Sequence, residues 1–401
     1  MTGVDDDRLS TVPVLLTNRR IGDVNRSRVL TAFCDHGPLS RADLARLAGV
    51  PRATIGVIIQ GLLDDGLLEE FAPDRSTRRV GKPARPLWFR RDAALSAAVD
   101  FRAGVDAALV NARGEVLERG EVAIDPATAS AEELSAAVVE ALAAVVPEGG
   151  TGVLGAGIAV PGVCDTATGR VIGSSQVPGA VGTGLVTAVA AAYALPVLVD
   201  NDARAQALGE KWFGEGRGVA TFASVQTGRG LGVGLVLGGV LYRGDDGLTG
   251  ELGHTCVDPD GVICSCGLRG CWETIATLRW LRAEAERRRL PGAETFDAAA
   301  LVALVEGGSR PALELLDRYA DHLALGLANL VHLLKPSRLL LHGDAVGGGE
   351  RLRAAIQEHL RARLLPHLRD AVDVALSPLD LDAGLLGAAG LVLSETFTLA
   401  A

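Results

Sequence analysis

Three cysteines and one histidine are the side chains best suited to chemistry in this chain. The run Cys264-Ser265-Cys266-Gly267-Leu268-Arg269-Gly270-Cys271 puts three thiols within eight residues, and His254 lies ten residues before the first. Two glycines let such a loop fold back on itself. Three thiolates and an imidazole complete a tetrahedral zinc shell with no open position, which is the structural rather than the catalytic arrangement. The plainer alternative is a reduced cysteine-rich loop, with redox sensing as a lesser one. Cys256 stands nearby and is not assigned as a ligand. The uneven clustering of all six cysteines, with Cys34 and Cys164 far from the rest, favours metal over a disulfide framework.

Two further constellations are acidic. Asp200-Asn201-Asp202 closes an apolar strand and feeds a helix, which sets polar side chains at the lip of a cleft. An Asn-Asp pair there can grip vicinal hydroxyls, and one carboxylate can act as a general base toward a hydroxyl. The competing reading is a helix cap by Asn201 or Asp202. Glu251 and His254 precede the cysteine loop, and Glu273 follows it. Carboxylates accept hydrogen bonds from hydroxyls. A His254 that gives one ring nitrogen to zinc keeps the other for a ligand.

Elements must hold these groups. A chain of 401 residues, 48% hydrophobic and 22% charged, predicts two or three folded domains. No apolar run reaches the length of a membrane helix, and the acidic start lacks the pattern of a signal peptide, so the cytoplasm is the expected compartment. Residues 1–20 read as a flexible, polar N-terminus. Residues 21–91 read as a winged helix-turn-helix: a helix from Asn25, a second capped by Ser40 with Asp43 three residues on and ended by Gly49, a third opened by Arg52-Ala53-Thr54, then two short strands. Residues 18–91 carry 14 Arg and Lys against 8 Asp and Glu, and the remainder carries −16. A basic head on an acidic body suits a polyanion. Arg41, Arg52 and Thr54, with Arg79, Lys82 and Arg85 in the wing, are the candidate contacts to double-stranded DNA; Gly81-Lys82-Pro83 has the narrow basic shape that suits a minor groove. A small three-helix protein-interaction module is the alternative. From residue 95 onward strands and helices alternate, and a Gly-rich meander near residue 221 repeats the opening at residue 97. That repetition predicts two related α/β lobes, about 95–200 plus the C-terminal end and about 201–390 with the cysteine loop, flanking a cleft.

These motifs together resemble the ROK family (repressors, open reading frames and sugar kinases). The resemblance rests on His254 with Cys-x-Cys-Gly-x-x-Gly-Cys-x-Glu, on Leu241-Tyr242-Arg243-Gly244 before Gly250-Glu251, and on Asp200-Asn201-Asp202. It runs from about Ala97 to the C-terminus, and the winged helix is similar to that of the repressor-type members. It implies an α/β fold of winged helix-turn-helix plus actin-like, two-lobed ATPase domain. It also implies sugar contacts by Asn201, Asp202, Glu251, His254 and Glu273, zinc on His254, Cys264, Cys266 and Cys271, and Asp202 as the base if the chain is a kinase.

The phosphate loops depart from the kinase pattern. Where kinases carry Asp-x-Gly-Gly-Thr, this chain reads Asp100-Phe101-Arg102-Ala103-Gly104. Arg229 stands where Gly-Thr-Gly-Ile-Gly has threonine, and Gly343-Asp344-Ala345-Val346 matches Gly-Gly-Gly-Val only in part. Side chains occupy positions where bare backbone should approach phosphate, so ATP is not expected to bind well. Ser174, Ser175, Gln176 and Ala180 replace further pocket residues, which leaves the sugar open. The expectation is a sugar-responsive regulator, in the sense of a repressor, that takes a sugar or sugar phosphate as effector and works as a homodimer or homotetramer. The alternatives are an ATP-dependent kinase of hexoses or amino sugars, and a DNA-binding scaffold without a ligand.

Overall fold

The computed structural model describes residues 18–72, 85–244, 247 and 249–398. Residues 18–33, Gly37–Trp88 and 394–398 form one compact unit; Cys34–His36 and Phe89–Leu393 form a second.

The first unit begins with α1 (Asn18–His36), which starts seven residues before the apolar periodicity does. That periodicity records only a buried face, and Gly22 and Asp23 in the first turns are exposed. After β1 (Leu39–Ser40), α2 (Arg41–Ala48) carries a full capping box: Ser40 Oγ accepts from the Asp43 N–H, and the Asp43 carboxylate accepts from the Ser40 N–H. Gly49, at φ 65°, ends α2 in the left-handed region, and α3 (Arg52–Asp64) starts three residues later. The strands β2 (Leu68–Glu70) and β3 (Pro86–Phe89) complete a three-stranded sheet in the order β1-β3-β2. Leu44, Ile55, Ile59, Leu62 and Leu87 are fully buried, so the 3.6-residue spacing in α3 marks the face that the unit is built on.

The second unit contains one topology twice. Strands β4 (Leu95–Phe101), β5 (Val105–Val110) and β6 (Val116–Val122) form an antiparallel meander. Helix α4 (Ala131–Ala143) and β7 (Val153–Val160) follow, then the small hairpin β8 (Val163–Asp165) and β9 (Arg170–Gly173). Helix α5 (Gly184–Tyr193) leads to β10 (Val197–Asn201), and the sheet order is β10-β7-β4-β5-β6. After α6 (Asp202–Phe213) the pattern recurs with β11 (Phe222–Thr227), β12 (Gly232–Leu237) and β13 (Val240–Leu241). Helices α7 (Leu278–Arg287), α8 (Ala298–Glu306) and α9 (Arg310–Leu334) precede β14 (Arg338–Gly343). The short α10 (Asp344–Gly347), α11 (Gly349–Arg363) and β15 (Asp373–Leu376) close a sheet of order β13-β12-β11-β14-β15. Helix α12 (Ala383–Thr398) ends the described chain.

Each sheet packs one face on its own helices. Leu134, Val138 and Leu142 of α4 and Leu185 and Val189 of α5 share a core with β4, β5 and β7. Leu281, Leu301, Leu323, Leu327 and Ile356 of α7, α8, α9 and α11 share another with β11, β12 and β14. The opposite face of the first sheet meets Ala205 of α6 and Leu385, Ala388 and Ala389 of α12, while α6 also packs closely against β12. Helix α6 is thus common to both sheets, and its first residue is Asp202.

Candidate functional site

Strand register assembles the site. In the parallel ladder of the first sheet Asp100 on β4 and Asp200 on β10 both face Ala159 of β7, so the two acids sit level at the carboxyl ends of parallel strands, where α/β sheets place ligands. In the second sheet Gln226 and His342 pair at the corresponding ends of β11 and β14. A cavity of about 990 Å³ lies over these ends, and Asn201, Asp202, Glu251, His254 and Glu273 all line it. The structure therefore brings together the five side chains expected at a ligand.

Their roles separate on inspection. Asn201 caps α6: its Oδ1 accepts from the Arg204 N–H at 3.1 Å, and its amide donates to Gly162 O at 2.9 Å and to Asp202 Oδ1 at 3.0 Å. The capping and the site readings hold at once, and with both amide protons spent Asn201 is a positioning residue for Asp202. Asp200 is not at the lip at all. It is buried and clamped by Arg204 at 2.6 Å and Arg243 at 2.9 Å. Asp202 is pushed up to about 6, first by burial and further by the charge of Glu251, against backbone hydrogen bonds at the start of α6. Glu273 Oε2 lies beside Gly253 and Gly230, since a Cβ at either would meet it within 3.5 and 3.8 Å.

Several site groups were missed in the sequence. Asp100 lines the cavity and is pushed up to about 7 by burial and by Asp202. Arg102 sits 3.7 Å from Asp100 and 3.3 Å from Asp106. The signal for Asp100 was a carboxylate ending a strand otherwise apolar. Gln206 Oε1 and Thr249 Oγ1 are buried, belong to residues lining the cavity and find no hydrogen-bond partner among the described residues. Buried polar atoms without partners are uncommon, and here they offer hydrogen-bonding capacity to a polar ligand. Sequence gave no hint of either, because their alignment depends on α6 and on the turn before Glu251.

The cysteine loop has the donors expected of a metal site. Ligand atoms of His254, Cys264, Cys266 and Cys271 lie within 4.8 Å of one another. Cys264 Sγ is 3.7 Å from His254 Nδ1, and Cys266 Sγ is 3.7 Å from Cys271 Sγ. A tetrahedron with Zn–S bonds of about 2.3 Å has sulfur-to-sulfur edges of roughly 3.8 Å, so the donor set fits zinc. The Cys264 carbonyl accepts from the Gly267 N–H, and the Cys264 N–H donates to Leu268 O, which forms a tight knuckle. Gly270, at φ 68°, leaves no room for a side chain, because a Cβ would meet Asp258 O at 1.6 Å. The second ring nitrogen of His254 faces Glu251, with Nε2 3.8 Å from its carboxylate. The loop is anchored by the fully buried Trp272, whose indole N–H donates to His322 O at 2.8 Å on α9 and whose ring lies against Gly326. Glu273 follows Trp272 directly, so the same anchor sets metal ligand and cleft carboxylate.

Asp344 accepts from the Ala298 N–H at 3.0 Å and from Tyr319 Oη at 3.2 Å, so it holds α8 and α9. Arg229 is exposed and lines the cavity. In the first unit, Arg52 and Thr54 are exposed at the start of α3. Arg41 pairs with Glu70, and Arg85 lies 3.5 Å from the same carboxylate; Arg41 holds Glu70 below the usual carboxylate range. Two expected DNA contacts thus share an acid, whereas Arg52 has no partner among the described residues. Arg79 and Lys82 lie outside the described residues.

Comparison with known proteins places this arrangement. A profile of the ROK family matches residues 101–395. The chain is 28% identical to the xylose repressor of Caldicellulosiruptor bescii, across 93% of this chain and 96% of that one. It is 36% identical to the glucokinase of Thermotoga maritima, across 59% of this chain and 78% of that protein. Among solved structures, a ROK family transcriptional regulator described as a homologue of the E. coli MLC protein superposes with a TM-score of 0.76 at 26% identity, covering 95% and 99% of the two chains. No helix among the described residues is long and apolar enough to cross a membrane. The repeated topology, the cleft at its strand ends and the family match agree: this chain belongs to the ROK family.

Proposed function

We propose that this chain is a sugar-responsive transcription regulator, in the sense of a repressor of carbohydrate metabolism, that binds a double-stranded DNA operator through its N-terminal unit. One observation carries the reading: the cleft keeps a full set of hydroxyl-binding groups while arginine side chains occupy the loops a nucleotide would need. Asp202, Glu251 and Glu273 accept from sugar hydroxyls, and Gln206 and Thr249 supply the unspent polar atoms. The repressor similarity across nearly the whole chain supports the same reading, since the kinase match stops short of the N-terminal unit.

Zinc on His254, Cys264, Cys266 and Cys271 would be structural, fixing the loop between Glu251 and Glu273. His254 orients its free ring nitrogen toward Glu251 and the cleft. The regulator acts as a homodimer or homotetramer on a two-fold site, and sugar favours one lobe arrangement over another. The shift in operator affinity is bounded by the sugar's differential affinity for the two arrangements. The test is a titration of xylose, glucose and N-acetylhexosamines against a DNA fragment selected in vitro for binding by the full chain. At least one sugar should change DNA affinity; unaltered binding across the panel would sink the sensor reading.

One observation favours a second reading, residual kinase activity. Asp202, pushed up to about 6, is poised for general-base work near neutral pH. ADP release measured against the same sugars separates the two: sustained turnover abolished in Asp202→Ala would mark an enzyme.

A further inference from the structure

A second cavity, of about 500 Å³, opens beside the cleft, and it shares Phe101, Arg102, Ala103, Pro161, Gln176 and Arg229 with it. The two arginines therefore stand at the junction of a polar chamber and the hydroxyl-binding cleft. Arg229 is carried on the glycine loop between β11 and β12, and its guanidinium has no partner among the described residues. The loop is held against the cleft: Leu278 N–H donates to Gly228 O at 2.8 Å, and Gln176 Nε2 lies within 3.7 Å of where a Cβ on Gly230 would stand. Arg102 is exposed and directed by Asp100 and Asp106. Among the described residues, the one carboxylate on the smaller chamber, Asp125, is turned to its own loop, accepting from the Ala127 N–H at 3.1 Å and Thr128 Oγ1 at 3.1 Å. Glu251, Glu273 and Arg279 also line the cleft, and Glu273 Oε2 lies beside Gly230, the residue after Arg229.

Two guanidinium groups, Arg102 and Arg229, thus stand in the wall that the two cavities share. Guanidinium is the side chain suited to phosphate, since its planar fork donates two parallel hydrogen bonds. Asp100 is pushed up to about 7 by burial and by Asp202, which reduces the negative charge beside Arg102 near neutral pH.

We propose that Arg102 and Arg229 form a phosphoryl subsite, and that the effector is a sugar monophosphate whose hydroxyls lie on Asp202 and Glu273 and whose phosphate lies between the arginines. The inference rests on the sugar-sensor reading and specifies its ligand. The same side chains that obstruct a nucleotide's phosphates at these loops become the recognition element for a smaller phosphate ester continuous with the sugar.

The test is calorimetric titration of the full chain with glucose, glucose 6-phosphate, N-acetylglucosamine, N-acetylglucosamine 6-phosphate, ATP and inorganic phosphate. One of the phosphorylated sugars should bind at least about tenfold more tightly than its parent, the equivalent of a charge-assisted hydrogen bond, and the preference should weaken as salt rises. The ratio of the two affinities should collapse toward one in Arg229→Ala and recover in part in Arg229→Lys, with circular dichroism and melting confirming that each variant is folded. Equal affinity for sugar and sugar phosphate overturns the subsite and leaves the sensor standing. Absence of binding by every sugar, phosphorylated or not, overturns both. ATP or inorganic phosphate binding more tightly than any sugar phosphate assigns the arginines to another anion and overturns the proposal.

Discussion

At the scale of single residues, the carboxylates of the cleft decide behaviour. Asp202→Ala should abolish the effect of sugar on DNA affinity and leave DNA binding without sugar intact, read by fluorescence anisotropy; loss of basal binding would contradict a purely ligand-facing role. Asp100 makes a prediction in pH. Its folded value of about 7 stands above the 3.8 of an exposed aspartate, so between about pH 4 and 7 the unfolded chain has released a proton that the folded chain retains. Stability from this group is present below about pH 4 and is lost as pH rises through 7. Asp100→Asn should therefore raise the melting temperature more at pH 8 than at pH 5, and an increment equal at both values would show that Asp100 does not titrate there. Residue types at the site were largely legible in sequence: the four candidate metal ligands lie close together and the five candidate sugar contacts line one cavity. Division of labour was not. Whether Asn201 touches ligand or spends its amide on Gly162 and Asp202, and whether Asp200 faces a cleft or two arginines, depends on partners 39 and 43 residues away in sequence, which local pattern does not contain.

At the scale of elements, anchoring matters more than propensity. Trp272 sits against Gly326 of α9, where a Cβ would meet the indole at 2.1 Å. Gly326→Ala should cost about 1–3 kcal/mol through overpacking and should also weaken sugar binding, because Cys271 and Glu273 flank the displaced ring; melting and calorimetry read the two effects. Removing a ligand acts on the same loop: Cys264→Ser should lower zinc content measured by atomic absorption and weaken sugar binding, while a variant that keeps full zinc would remove Cys264 from the shell. In the first unit, Ser40→Ala should cost about 1 kcal/mol by breaking the capping box, seen as a lower denaturation midpoint. Elements with a cap, an apolar stripe or a meander were readable because their causes are local. Helix α1 was read short, since Gly22 and Asp23 in its first turns are exposed and leave no periodic trace.

For the whole molecule, charge is divided, with the surplus of basic residues in the N-terminal part and the acidic excess elsewhere. Arg52→Ala should weaken operator binding by about 1–3 kcal/mol if it reads a base edge; a change that is equal on operator and random DNA would reassign it to phosphate. The two-lobed body was foreseeable from the repeated meander, whereas the sharing of α6 between both sheets was not, because nothing in a helix sequence tells which of two sheets it will cover. That shared helix gives the Asp200 clamp a mechanical meaning. Arg204 rides on α6 one turn beyond Asp200, so their pair travels as a single piece. Arg243 arrives on the turn after β13, at the far edge of the other sheet, and is partly exposed. The one buried carboxylate therefore ties the end of β10 both to the first turn of α6 and, through Arg243, to the turn after β13 in the other sheet.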